Sequence, residues 1–204
     1  FASTYPAPGI IERVGQDWDW CWIDAQHGSW EPGDAVQAVR ACGLVGLFAM
    51  VRVPGHEYGI IGRALDTACH AVMVPMVDTP AQAEEVVRAV RFPPRGMRSY
   101  GGRRPCDLYG RGYSHADRPQ PLLVCQIESP EALENVEAIA ATPGLDGLYI
   151  GPYDLSISLG LAKPADFDDL TLQDALDAVL AAAARHNLVA GIYVGNPQAA
   201  LRLS

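Results

Sequence analysis

The sequence predicts an α/β fold in which parallel strands form a barrel wrapped by helices, with an open doubly wound sheet as the alternative. Three observations predict it. Short continuous apolar runs alternate with helical segments along the 204 residues, the pattern of strands covered on both faces. Several of these runs stop at a charged residue: Asp24 in WIDAQHGSW (22–30), Arg52 in AMVRVP, Glu128 in LLVCQIES (122–129) and Asp154 in GLYIGPYDLS (147–156). A parallel barrel gathers such strand-end residues on its C-terminal face, where its chemistry takes place. Hydrophobic residues at 49% and charged residues at 19% fit a folded domain with a core rather than a disordered chain.

Taken in order, an extended piece at 1–4 precedes the first clear strand at 20–24 (WCWID). Further strands are expected at 47–53 (LFAMVRV), 71–77 (AVMVPMV), 122–128, 147–151 and 189–194 (VAGIYV). Helices are expected near 33–42, 57–69, 80–91, 130–141 and 172–186. Thr79-Pro80, Ser129-Pro130 and Asn196-Pro197 each place a capping side chain before proline at the first helical position. Six clear strands and the piece at 1–4 fall short of eight, so the expectation is a barrel incomplete at both ends. With no linker, low-complexity tract or repeat, residues 1–204 form a single domain. The stretch 92–121 is too long for an ordinary connection. It carries Arg95, Arg98, Arg103, Arg104, Arg111 and Arg118, which serve either as surface ion pairs or in recognition of a carboxylate on a substrate or a neighbouring subunit.

Charge narrows the function. A net charge of −9 argues against nucleic acid and anionic membrane as partners, since both reward a basic face. No apolar run approaches the ~20 residues of a membrane helix. Cys21, Cys42, Cys69, Cys106 and Cys125 are scattered and lack a CxxC spacing, which reads as free, buried thiols in a cytoplasmic protein. Lys163 is the one lysine beside fourteen arginines and lies in the polar loop LAKPADFDD, a poor place for imine chemistry, which needs a desolvated amine.

The strand ends supply the candidate site. Glu128 and Asp154 are hard oxygen ligands suited to a divalent cation such as Mg²⁺ or Mn²⁺, with Co²⁺ open on ligand type. Gln126 precedes Glu128 by two, so both side chains share one face. Asp24 near His27 is a carboxylate placed to fix a histidine tautomer and raise its basicity; a structural histidine is the plainer reading. Arg52, charged amid apolar neighbours, must find an anion: Asp24, another core carboxylate or a ligand. Gly151-Pro152 lets backbone approach a ligand, or simply makes a turn.

DWDWCWIDAQHG, MVRVP, AVMVPMV, RFPPRGMRSYG, CQIES and GLDGLYIGPYDLSISLG, in that order over most of residues 17–160, resemble the HpcH/HpaI aldolase family. The resemblance implies a (β/α)8 TIM barrel and a metal-dependent class II aldolase, similar to 4-hydroxy-2-oxoheptanedioate aldolases. Such an enzyme cleaves 4-hydroxy-2-oxo acids reversibly to pyruvate and an aldehyde through a metal-stabilised enolate. It implies Glu128 and Asp154 as ligands of a divalent metal ion (Mg²⁺ or Mn²⁺, with Co²⁺ or Zn²⁺ admissible) and His27 as catalytic base with Asp24 as its partner. Arg52 matches the residue that binds substrate and stabilises the enolate. Gln126 matches a contact to the pyruvyl group, and the backbone of Gly151, Pro152, Tyr153 and Asp154 matches a carboxylate cradle. A homo-oligomer, commonly a hexamer, is implied. Two positions depart from the family pattern: Gln26 replaces a glutamate, and Tyr153 a small residue. A citrate-lyase-like or malyl-CoA-type lyase, using the arginines for CoA phosphates, is the alternative; a non-catalytic barrel that binds a 2-oxo acid ranks third.

Overall fold

The computed structural model describes residues 1–115 and 119–203; Arg118 lies outside them. The described residues form seven strands: β1 (Ala2–Ser3), β2 (Trp20–Asp24), β3 (Phe48–Arg52), β4 (Ala71–Val74), β5 (Leu122–Ile127), β6 (Gly147–Ile150) and β7 (Val189–Ile192). Between and after them lie α1 (Pro8–Val14), α2 (Pro32–Leu44), α3 (Tyr58–Leu65), α4 (Pro80–Val90), α5 (Arg103–Tyr109), α6 (Pro130–Glu134), α7 (Val136–Ala140), α8 (Pro152–Ser158), α9 (Leu170–Arg185) and α10 (Pro197–Leu203). All neighbouring strands pair in parallel, and their spatial order is their order in the chain. That sequential order rules out a doubly wound sheet, whose strand order reverses partway across. The sheet is curled. Trp22 of β2 meets Tyr149 of β6 edge-on at 5.5 Å and Tyr193, just past β7, at 5.9 Å.

Side-chain parity divides the core into two layers. Trp22, Met50, Ala71, Met73, Val124 and Tyr149 fill the concave side. Their neighbours Ile23, Val51, Val72, Cys125 and Leu148 join the helices in the larger outer core. Alternation along a strand enforces this split.

Local chemistry sets the ends of these elements. Thr79 caps α4 with a reciprocal capping box to Gln82, and the Ser129 side chain accepts from the Ala132 amide. Asn196 likewise accepts from Ala199 at 2.9 Å. The helix expected over 130–141 is split at Asn135, whose amide group donates to the Asp78 carbonyl at 2.9 Å; asparagine favours such local bonds over helix continuation. The strand expected over 71–77 stops at Val74 because Pro75 has no N–H for the ladder. Helices α1, α5 and α8 were not expected from periodicity, each being only seven residues long.

Arg98 of the arginine-rich stretch sits away from the strand C-termini. Arg98 is buried with its guanidinium 4.6 Å over the Phe92 ring, and it shares a cavity with Phe48, His70 and Leu122 at the strand N-termini. Arg104 donates to the Thr67 carbonyl at 2.9 Å, and exposed Arg103 pairs with Asp107. Arg98, Arg103 and Arg104 thus all contact groups of the chain itself. The five cysteines are free thiols, four of them buried and Cys106 half-buried. Lys163 is exposed, 3.5 Å from Asp166. Among the described residues no helix is long and apolar enough to cross a membrane.

Candidate active site

The C-terminal ends of β2, β3, β5 and β6 surround one pocket of about 210 Å³, which His27, Arg52, Glu128 and Asp154 all line. Parallel register puts Asp24 beside Arg52, and the two form a fork: Arg52 Nε donates to Asp24 Oδ1 at 2.9 Å and Nη2 to Oδ2 at 2.6 Å. Both are nearly sealed from water, Asp24 at 4% and Arg52 at 6% exposure. Burial alone would raise the Asp24 pKa. Arg52's hydrogen bonds and charge, with the amides of His27 and Gln26, outweigh it and hold the carboxyl below its ordinary range. The Arg52 guanidinium also lies 4.4 Å over the Trp22 ring, a favourable cation–π arrangement.

The expected pairing of Asp24 with the His27 imidazole is not what the structure shows. Asp24 Oδ1 accepts from the backbone amides of Gln26 (3.1 Å) and His27 (3.2 Å), so its influence on His27 runs through the main chain. A carboxylate filled by a bidentate arginine has little capacity left for a second side chain. The turn this creates is tight: a Cβ on Gly28 would fall 2.1 Å from the Asp24 carbonyl. It leaves the His27 side chain exposed at the pocket rim. The buried Gln26 side-chain carbonyl has no hydrogen-bond partner among the described residues.

On the opposite wall, Gln126 and Glu128 do share one face of β5 and its end. Gln126 Oε1 takes a long bond from Arg52 Nη1 (3.5 Å), and its Nε2 donates to Glu128 Oε1 at 3.1 Å. The other carboxylate oxygen, Oε2, accepts from the Met76 amide at 3.0 Å. Glu128 is only 2% exposed. Burial pushes its pKa up, Asp154 and Asp78 push it further, and the Met76 amide and Arg52 oppose them without winning. The roles of Met76 and Asp78 were invisible in sequence, because Met76 acts through its backbone in a left-handed conformation (φ 52°) that no residue type announced.

Gly151 is where β6 passes closest to this carboxylate. A Cβ there would lie 2.2 Å from Glu128 Oε1 and 2.9 Å from Cδ. Gly151→Ala must therefore displace a carboxylate held by two hydrogen bonds. We expect it to weaken Mn²⁺ binding by about tenfold or more, as loss of ligand orientation does, while circular dichroism stays unchanged. Unaltered Mn²⁺ affinity would show that Glu128 is free to move. The Gly151 amide itself is spent on the Ile127 carbonyl at 3.3 Å. Pro152 has no N–H, so the donors left in the first turn of α8 are the amides of Tyr153 and Asp154.

The donor set fits a divalent cation. Among the described residues Glu128 is a buried carboxylate with no arginine or lysine in salt-bridge contact, Arg52 being paired with Asp24, and Asp154 adds repulsion that a cation would relieve. Among the described residues no three His, Cys, Asp or Glu side chains are grouped to hold a metal by themselves. Glu128 and Asp154 would hold the ion, with other ligands left to water or substrate, as hard cations commonly accept.

Known proteins are similar to this chain. A 4-hydroxy-2-oxovalerate aldolase of Novosphingobium aromaticivorans is 41% identical over 171 residues, covering 80% of this chain and 63% of that protein. A hydroxypyruvate/pyruvate aldolase of Rhizorhabdus wittichii is 33% identical over 180 residues, covering 88% and 72%. The chain thus spans less than two thirds of the first relative's length and somewhat more of the second's. The crystal structure of an HpcH/HpaI aldolase/citrate lyase family protein from Burkholderia cenocepacia superposes with a TM-score of 0.89 at 32% identity, covering 99% of this chain and 81% of that one. The family model for HpcH/HpaI aldolase/citrate lyase matches residues 8–199, and the chain belongs to that family.

Proposed function

We propose that this protein is a divalent-metal-dependent aldolase that cleaves 4-hydroxy-2-oxo acids reversibly to pyruvate and an aldehyde. One observation carries the reading: a buried Glu128, its pKa raised by burial and by Asp154, lines the same pocket as Asp154, His27 and the clamped Arg52. In the reading Glu128 and Asp154 hold Mg²⁺ or Mn²⁺, and a bound ion supplies a Lewis acid for the 2-oxo group.

The chain's own groups do the rest. Tyr153 and Asp154 amides hold the substrate carboxylate at the start of α8. As the C3–C4 bond breaks, its electron pair moves through C3 towards the 2-oxo oxygen. Arg52, held by Asp24 before substrate arrives, places fixed positive charge there. His27 takes the proton of the 4-hydroxyl, and a proton returned to C3 completes pyruvate. Gln126 links Arg52 to Glu128 and keeps both in register with the pyruvyl group. Trp22, Tyr153 and Tyr193 wall the pocket, with the two tyrosine rings 6.1 Å apart. The arginines of 92–121 point to an acidic or hydroxylated aldehyde, and that aromatic wall supports the uncharged, hydroxylated kind. The reading includes a cytoplasmic homo-oligomer, a hexamer by family membership.

The test is pyruvate release from a panel of 4-hydroxy-2-oxo acids, untreated, after EDTA and after restored Mn²⁺. We expect release that EDTA abolishes and Mn²⁺ restores. A folded protein that releases pyruvate from no compound overturns the reading.

A further inference from the structure

The peptide unit joining Pro75 to Met76 is gripped at both ends. Its N–H donates to Glu128 Oε2 at 3.0 Å. Its carbonyl, on Pro75, lies 2.6 Å from His56 Nε2. A carbonyl only accepts, so His56 Nε2 carries the hydrogen and the tautomer is settled by this contact. A peptide that accepts at oxygen becomes a stronger donor at nitrogen, because the two bonds polarise one another. Met76 meanwhile holds φ at 52°, a region that non-glycine residues enter only where surrounding contacts impose it. His56 comes from the loop between β3 and α3, and it opens on a separate cleft with Glu85, Arg88 and Met97. It does not line the pocket that holds Glu128.

We propose that His56 is a positioning residue for Glu128: through the Pro75–Met76 peptide it fixes the backbone donor that orients this buried carboxylate. The hydrogen-bonded chain His56, Pro75 carbonyl, Met76 amide, Glu128, Gln126 then runs from an outer cleft to the pocket wall. The significance for metal binding rests on the function proposed above; the hydrogen-bonded chain does not.

Two variants separate the donor from the ring. His56→Phe keeps a ring and removes the N–H. His56→Gln keeps a donor for the Pro75 carbonyl. The first readout is amide hydrogen exchange at Met76 in metal-free protein, followed by NMR. We expect exchange in His56→Phe about tenfold faster or more, with His56→Gln close to wild type. The second readout is Mn²⁺ affinity by titration. His56→Phe should lose roughly 10-fold, at the lower end for partners that orient a ligand, and His56→Gln should recover most of it. Unchanged Met76 exchange in His56→Phe overturns the proposal. So does a His56→Gln protein as impaired as His56→Phe, since ring packing would then be the cause. A wild type that binds no Mn²⁺ removes the aldolase reading, while the exchange comparison still decides what His56 does.

Discussion

Asp24→Ala is expected to cost about 3–5 kcal/mol of folding stability, the range for breaking a buried ion pair from one side. The loss comes from stranding Arg52, which is 6% exposed and would keep only its long bond to Gln126 and its stacking on Trp22. Asp24 and Arg52 are bound at 2.6 Å and 2.9 Å, so their effects cannot be additive. A double variant, Asp24→Ala with Arg52→Met, should recover much of the loss because no uncompensated charge remains. The sign with pH is fixed as well. Asp24's pKa is lowered from its ordinary 3.8, so its stabilisation is fully present above that value and is lost as pH falls through the still lower folded value. Urea denaturation at pH 7 measures the first effect, and acid titration of wild type against the double variant measures the second. A single-variant loss under about 1 kcal/mol would mean that the pair is as weak as a surface one.

Glu128→Gln should have the opposite profile, with function lost and the fold kept. The amide nearly matches the carboxylate in shape. It removes a charge that burial and Asp154 both disfavour, so stability should hold or rise. Mn²⁺ affinity and pyruvate release should fall together by about 100-fold or more, past the roughly 10–100-fold typical of groups that only support a ligand. His27→Ala should instead cut turnover by about 10²–10⁴-fold, the usual contribution of a general base, and leave Mn²⁺ affinity intact. Because Glu128's pKa is raised above 4.5, metal affinity in wild type should begin to fall at a higher pH than an ordinary carboxylate would set. Mn²⁺ titration beside turnover across pH 4–8 (a range of about four units around carboxylate and imidazole values) separates these effects. Wild-type turnover in both variants would dissolve the site assignment.

What could be read from sequence was whatever acts through periodicity or residue type. Apolar runs located the strands to within a few residues, and the two-residue step from Gln126 to Glu128 correctly gave a shared face. Proline after a capping residue marked the starts of α4, α6 and α10. Choices among equivalent partners were beyond reach. Asp24 had two candidates, His27 and Arg52, and only the register of β2 on β3 shows that the guanidinium takes the carboxylate. The arginines of 92–121 read equally as surface ion pairs or as carboxylate recognition because composition carries no address. Arg98 instead stacks on Phe92 at the far end of the strands. Backbone functions leave no trace in residue identity, which is why Met76 and the spent amide of Gly151 went unseen.

The two-layer parity of the strands has a consequence for engineering. Positions of the inner layer and positions that anchor the helices interleave without overlapping: Trp22, Met50 and Val124 point one way, Ile23, Val51 and Cys125 the other. Substitutions confined to the first set alter the inner layer, where Trp22 lines the pocket, while leaving the outer scaffold untouched. A single-residue deletion early in β5 would invert the residues that follow it, turning Ile127 inward and Gln126 towards the helices. The strand therefore tolerates substitution far better than any change in its length.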